Sequence, residues 1–137
     1  METEIVPGLW LGSLDDAIRW REFVMNVLEE VSDLPPHILN VPILRPAHGA
    51  EEAGNRRAIF VQVEAVADLV ELHLAREERV LVSCGHGIER SPLAVVWYLY
   101  RKRGMDVSSA YGLVRQKRPQ VQERLDWMHG PGWPDWW

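Results

Sequence analysis

Apolar positions along the chain switch repeatedly between strand-like runs and a helical spacing of three to four, which predicts interleaved strands and helices. Ile5 and Val6, then Leu9, Trp10 and Leu11, flank a Pro7-Gly8 turn and predict a short hairpin or bent strand. Ser13 is placed to cap a short helix, with Leu14, Ala17 and Ile18 inward and Asp15 and Asp16 favouring its dipole. Residues 23–28 (FVMNVL) read as a buried strand ended by Glu29 and Glu30. After Pro35-Pro36, residues 37–44 (HILNVPIL) predict another strand, whose pairing Pro42 limits. Residues 45–55, with Pro46, Gly49 and Gly54 among polar neighbours, predict a loop. Val63, Val66, Ala67, Val70 and Leu74 repeat at helical spacing over 59–74. Val80-Leu81-Val82 has the signature of a central strand. Residues 93–100 are apolar nearly all round and predict a core helix closed by Gly104. A further helix starts at Asp106 or Ser108, turns Ala110, Leu113 and Val114 inward and stops at Pro119. A last helix is predicted over 121–128.

That order defines an α/β fold: a small, mostly parallel central sheet of four to five strands flanked by helices on both faces. No repeat and no long linker divides the 137 residues, so a single domain over 1–137 is expected, with a tryptophan-rich tail at 130–137. Trp10, Trp20, Trp97 and Trp127 fall on apolar faces and are assigned to packing. The tail, with two prolines and two glycines, is expected to fold back on the domain, the competing reading being a contact surface.

Composition narrows the chemistry. Fifteen Lys and Arg against 20 Asp and Glu give a net charge of −5, which argues against nucleic acid as a partner. The longest apolar run, at 93–100, is too short to cross a bilayer, so no membrane partner is expected either. Residues 1–7 carry two glutamates and no basic region, which speaks against a secretory signal and for the cytoplasm. One cysteine excludes an intrachain disulfide and a cysteine-rich zinc site. The five histidines lie at least 11 residues apart, so no metal and no cofactor are expected.

The informative segment is 80–93, VLVSCGHGIERSPL. A buried strand runs into Cys84; five residues follow, with glycine at 85 and 87; Arg90 and Ser91 then open the core helix. Glycines between a strand and a helix N-terminus let backbone amides converge on an oxyanion, and the helix dipole adds positive potential. The same field lowers a thiol pKa and yields the thiolate that acts as nucleophile. Arg90 can grip two oxygens of an anion as a fork. A nucleophilic sulfur beneath an anion cradle points to a group carrying several oxygens, phosphate first among them. The fixed positions of Cys-x2-Gly-x2-Arg-Ser arise by chance in such a chain on the order of once in a thousand. The bland alternative is a buried core cysteine before a helix.

The segment 84–91 resembles the signature loop of the cysteine-based protein phosphatases, specifically the small dual-specificity type. The resemblance extends to 5–17 (IVPGLWLGSLDDA), 23–30 (FVMNVLEE), 101–111 (RKRGMDVSSAY) and 113–119 (LVRQKRP). It implies the fold of that family and its mechanism. Cys84 would attack phosphorus to form a phosphocysteine. Arg90 and the loop residues Gly85, His86, Gly87, Ile88 and Glu89 would hold the phosphoryl oxygens. Ser91 would hydrogen-bond the sulfur and ease its departure. The implied partner is a phosphorylated protein or peptide, with phosphate or sulfate able to occupy the loop.

Three positions depart from the family pattern. Ser83 stands where a histidine is usual, from which a less depressed Cys84 pKa is expected than in such enzymes; thiol inactivation reaching its plateau well below about pH 6 would contradict it. Glu89 is an anion beside the phosphate-holding arginine, read either as a solvated carboxylate or as selection against acidic phosphopeptides. Arg45-Pro46 stands where the family supplies an aspartate as general acid. Glu52 has roughly the family's spacing before Cys84 and is the replacement candidate, with Glu51 or His48 as alternatives. The competing reading leaves Glu51 and Glu52 on an exposed loop or at the start of a helix. The leading function is therefore a phosphatase for phosphotyrosine and also phosphoserine or phosphothreonine. The alternatives are a weak or inactive phosphate- or phosphopeptide-binding module and, more distantly, a rhodanese-type sulfurtransferase.

Overall fold

A computed structural model describes residues 1–28 and 33–134 of the chain. Strand β1 (Thr3–Val6) turns back into β2 (Leu9–Ser13) as an antiparallel hairpin. Strands β3 (Phe23–Asn26), β4 (Ile38–Asn40) and β5 (Val80–Cys84) complete a sheet of order β1-β2-β5-β3-β4. All pairings except the hairpin are parallel, so β2, β5 and β3 end at one edge of the sheet. The first two residues past β5 therefore emerge where functional loops of such sheets gather.

Alternation along the strands divides the core. Val24, Ile38 and Leu81 face a small cluster with Ala17 and Trp20, under helix α1 (Leu14–Arg19). Leu9, Leu11, Met25, Val80 and Val82 face the larger cluster against α2 (Glu52–Ala75), α3 (Arg90–Arg103) and α4 (Val107–Lys117). Helices thus cover both faces, as the sequence pattern implies. In α3, positions 90–99 are all buried, and the helix ends on left-handed Gly104 (φ 70°). Asp106, rather than Ser108, caps α4 by accepting the Ser109 amide.

Four local expectations are corrected. In α1 Ile18 is exposed, because Asp16 takes the inward position: its carboxylate accepts the Ser13 amide while the Ser13 hydroxyl accepts the Asp16 amide. The strand expected over 37–44 is only Ile38–Asn40, although Val41 and Ile43 still donate their amides to Asn26 and Val27 carbonyls. Helix α2 starts at Glu52 rather than 59, since Gly54 lies in open space and Arg56 is anchored to the Asp126 and Trp127 carbonyls. The last helix is a single 3-10 turn, Leu125–Met128, because the Gln122 amide is committed to the Ile88 carbonyl 2.9 Å away.

The tail packs back onto α2 and α3 as far as it is described. Trp133 is buried edge-on against Phe60 and Trp97, with centroids 5.3 and 5.2 Å apart. The strand end assigned to Glu29 and Glu30, and tail residues 135–137, lie outside the described residues.

Candidate active site

Strand β5 is buried along its whole length and delivers Cys84 to the C-terminal edge of the sheet, 4% exposed. After five intervening residues α3 begins with Arg90 and Ser91, both buried. The Cys84 Sγ lies 3.1 Å from Ser91 Oγ, and the amides of Ser91, Gly87 and Ile88 also point at the sulfur. Burial pushes the Cys84 thiol up. The Ser91 hydroxyl and these three amides outweigh it and hold the pKa below the usual thiol value.

Above the sulfur opens a cleft of about 400 Å³. The loop contributes Cys84, Gly85, His86, Ile88, Glu89 and Arg90; Leu28, Arg45 and Gln122 form the opposing wall. Gly87 lies beneath at φ 70°, where an added Cβ would stand 2.8 Å from both Gly12 O and Arg118 Nη2. Only glycine combines that backbone angle with that packing.

The three departures from the family pattern take on physical form here. The Ser83 hydroxyl turns away from the thiol into the sheet, donating to Asn26 Oδ1 at 3.1 Å; Asn26 in turn donates to Asn40. Glu89 is half-buried at the cleft rim, with Arg124 at 3.4 Å and Arg45 at 4.0 Å. Its charge is thus offset by two cations, which weakens a purely repulsive role. Glu52, His48 and Glu51 are not brought to the cleft lining. Glu52 instead pairs with Arg56 at 3.5 Å in the first turn of α2, and Glu51 and His48 are exposed around the 3-10 turn Gly49–Glu51. Among the described residues, Glu89 is the one carboxylate lining the cleft.

Several contributors were not legible as such in the sequence. Arg118, at the C-terminus of α4, is 3% exposed; its Nε donates to the Gly87 carbonyl (2.9 Å) and its Nη2 to the His86 carbonyl (3.0 Å). Its Nη1 reaches the Met1 carbonyl (2.6 Å) and Thr3 Oγ1 (2.9 Å). In sequence it is one of three cations within four residues, and only the proline after it sets it apart. Arg45, Arg124 and Gln122 reach the site through tertiary packing that no local pattern encodes. Among the described residues no cluster of three or more His, Cys, Asp or Glu is placed to hold a metal, and no helix is long and apolar enough to span a membrane.

A strand, an amide-lined loop and a helix N-terminus converging on a thiol held below its ordinary pKa, with an adjacent arginine, define a cysteine-based phosphatase-type site. The family model "dual specificity phosphatase, catalytic domain" matches residues 22–130, and the chain belongs to that family. It is 33% identical over 125 residues to dual specificity protein phosphatase MPK-4 of Drosophila melanogaster, covering 87% of this chain and 32% of that protein. It is 29% identical to MAP kinase phosphatase with leucine-rich repeats protein 3 of Dictyostelium discoideum, covering 88% of this chain and 14% of that protein. The chain thus spans a third or less of the length of these curated relatives. Among solved structures, human DUSP28 superposes with a TM-score of 0.69 at 20% identity, covering 92% of this chain and 86% of that one. The human tyrosine phosphatase-like serine/threonine/tyrosine-interacting protein gives 0.67 at 19%, covering 92% and 89%. These two likenesses concern the fold.

Proposed function

We propose that the chain is a single phosphatase domain over 1–137 that hydrolyses phosphoprotein monoesters through a phosphocysteine. The observation that carries the reading is the Cys84 sulfur beneath inward-pointing amides and 3.1 Å from the Ser91 hydroxyl. The Cys84 thiolate attacks phosphorus; the S–P bond forms as the ester P–O bond breaks and the leaving oxygen departs with its electron pair. Amides of the loop and the Arg90 guanidinium carry the charge of the phosphoryl oxygens through the transition state. Water then attacks phosphorus, the S–P bond breaks, and the Ser91 hydroxyl stabilises the thiolate as it leaves. Inorganic phosphate is released.

No carboxylate free of arginine partners lines the described cleft, so protonation of the leaving oxygen is not built into it. This favours substrates whose leaving oxygen is already a good leaving group, phosphotyrosine ahead of phosphoserine and phosphothreonine. The same observation supports a second reading, a phosphopeptide-binding module with residual turnover. A lone thiol kept reduced for catalysis fits a cytosolic setting. Hydrolysis of p-nitrophenyl phosphate separates the two readings. The phosphatase reading expects turnover that Cys84→Ser reduces by about 10⁴-fold or more. A wild-type protein that binds phosphate but releases no nitrophenol supports the module.

A further inference from the structure

The anion cradle has a back as well as a front. In a trans peptide unit the C=O and the following N–H point in opposite directions, so fixing one aims the other. The carbonyl of Gly85 accepts the Leu14 amide (3.3 Å), and that of Ile88 accepts the Gln122 amide (2.9 Å). Between them the carbonyls of His86 and Gly87 are both taken by the guanidinium of Arg118, at 3.0 and 2.9 Å. Four consecutive loop carbonyls are thus bound from outside, which turns the amides of residues 86–89 inward. Arg118 is the one side chain in this outer set; the other two donors are backbone amides.

We propose that Arg118 is a positioning residue of the catalytic loop: by holding the His86 and Gly87 carbonyls from behind, it aims the Gly87 and Ile88 amides at the Cys84 sulfur and at the oxyanion above it. Those are two of the amides that hold the thiol below its usual pKa. The inference deepens the phosphatase reading by naming what keeps its oxyanion cradle formed before substrate arrives.

The geometry explains why arginine stands here. The two carbonyls lie on successive peptide units, and a planar fork spans them with Nε and Nη2 while Nη1 remains on β1 through Thr3. A lysine offers one point charge and cannot grip both. The guanidinium also places its positive charge behind both peptide units and polarises them, strengthening their N–H groups as donors. A Cβ on Gly87 would stand 2.8 Å from Arg118 Nη2, so glycine at 87 is what lets the guanidinium sit this close behind the loop.

Arg118→Met, Arg118→Lys and Thr3→Ala are compared with wild type by two measurements that need no turnover. One is the pH midpoint of iodoacetate inactivation of Cys84; the other is the affinity for inorganic phosphate, read as protection against that inactivation. His86, Glu89, Arg90 and Arg45 also face the cleft, and all four are retained in each variant. The expected result for Arg118→Met is a midpoint raised by about one pH unit and phosphate binding weakened about tenfold, with Arg118→Lys between it and wild type. Thr3→Ala, which leaves the loop carbonyls bound, is expected to move neither by more than about twofold. A cooperative thermal transition in each variant shows that the fold is retained; if Arg118→Met lacks one, Arg118→Lys decides on the same readouts. A folded variant with the wild-type midpoint and wild-type phosphate affinity overturns the inference. So does Thr3→Ala reproducing the Arg118→Met phenotype, which would make the arginine a tether of β1. Both readouts exist whether or not the wild-type protein turns over a phosphate ester, so failure of the phosphatase reading remains separately visible.

Discussion

The loop from Gly85 to Glu89 forms one side of the cleft, whereas the segment from Arg45 to Glu52 reaches its lining only through Arg45, and the two are held in opposite ways. In the first, four carbonyls are bound from outside, Gly87 is packed on two sides, and the sulfur has a hydroxyl 3.1 Å away. In the second, the Arg45 side chain is 64% exposed and its ion pair to Glu89 spans 4.0 Å. Ala47 is tied to Asn55 by one hydrogen bond of 2.8 Å. The difference follows from what each side of the cleft must do. Stabilising a thiolate and a phosphoryl group needs donors fixed within tenths of an ångström before substrate arrives. The opposing wall, where Leu28, Arg45 and Gln122 line the cleft, carries no such set of fixed backbone donors among the described residues.

Breaking the rigid side has the larger expected effect. Gly87→Ala forces a Cβ into contact with Gly12 O and Arg118 Nη2 at a positive φ, and is expected to lower kcat/KM on p-nitrophenyl phosphate about 100-fold. The same substitution should lower unfolding free energy by about 2 kcal/mol in a urea titration. Wild-type values for both would mean that the loop is looser than its packing implies.

Ser91→Ala comes next. Removing the hydroxyl takes away the donor that lowers the thiol pKa most, so the thiolate is less stabilised and the pKa rises toward the ordinary thiol value. Iodoacetate inactivation below the wild-type midpoint should slow, and kcat should fall about tenfold with KM falling alongside it, because the thiolate is a poorer leaving group and the phosphocysteine accumulates. An unshifted pH profile would show that the hydroxyl bonds something other than the sulfur.

The loose side gives the smallest change. Glu52→Gln loses the pair with Arg56 and should cost about 0.5 kcal/mol of stability. Turnover on aryl and alkyl phosphates is expected to stay within about twofold, since Glu52 does not line the cleft. A large, alkyl-selective loss would return the general acid to that residue.

The contrast also explains what could be read from the chain without its fold. Cys84, Gly87, Arg90 and Ser91 were legible because a strand, a tight loop and a helix N-terminus must follow one another within a dozen residues. Ser13 as a cap and the apolar stripe of α2 were legible for the same local reason. The beginning of α2 is hidden in the sequence because Gly54 looks like a breaker, whereas Arg56 anchors that turn to residues seventy positions away. Arg118 sits in the family-like segment 113–119, but nothing local shows its role: its partners lie in the loop after β5 and at the N-terminal end of the chain, and only folding brings them under one guanidinium. Spacing alone points to Glu52 as the acid; which way the first turn of a helix faces is set by packing, and here Glu52 pairs with Arg56.

The central claim is that the Cys84 sulfur is an ionised nucleophile that takes the phosphoryl group. Acid quenching of the protein during turnover of p-nitrophenyl phosphate, followed by mass spectrometry of the intact chain and its peptides, tests it directly. One phosphoryl group is expected on Cys84 in the wild type, more of it in Ser91→Ala, and none in Cys84→Ser. Sustained turnover with Cys84 unmodified at every time point, or a Cys84→Ser protein as active as wild type, would contradict it.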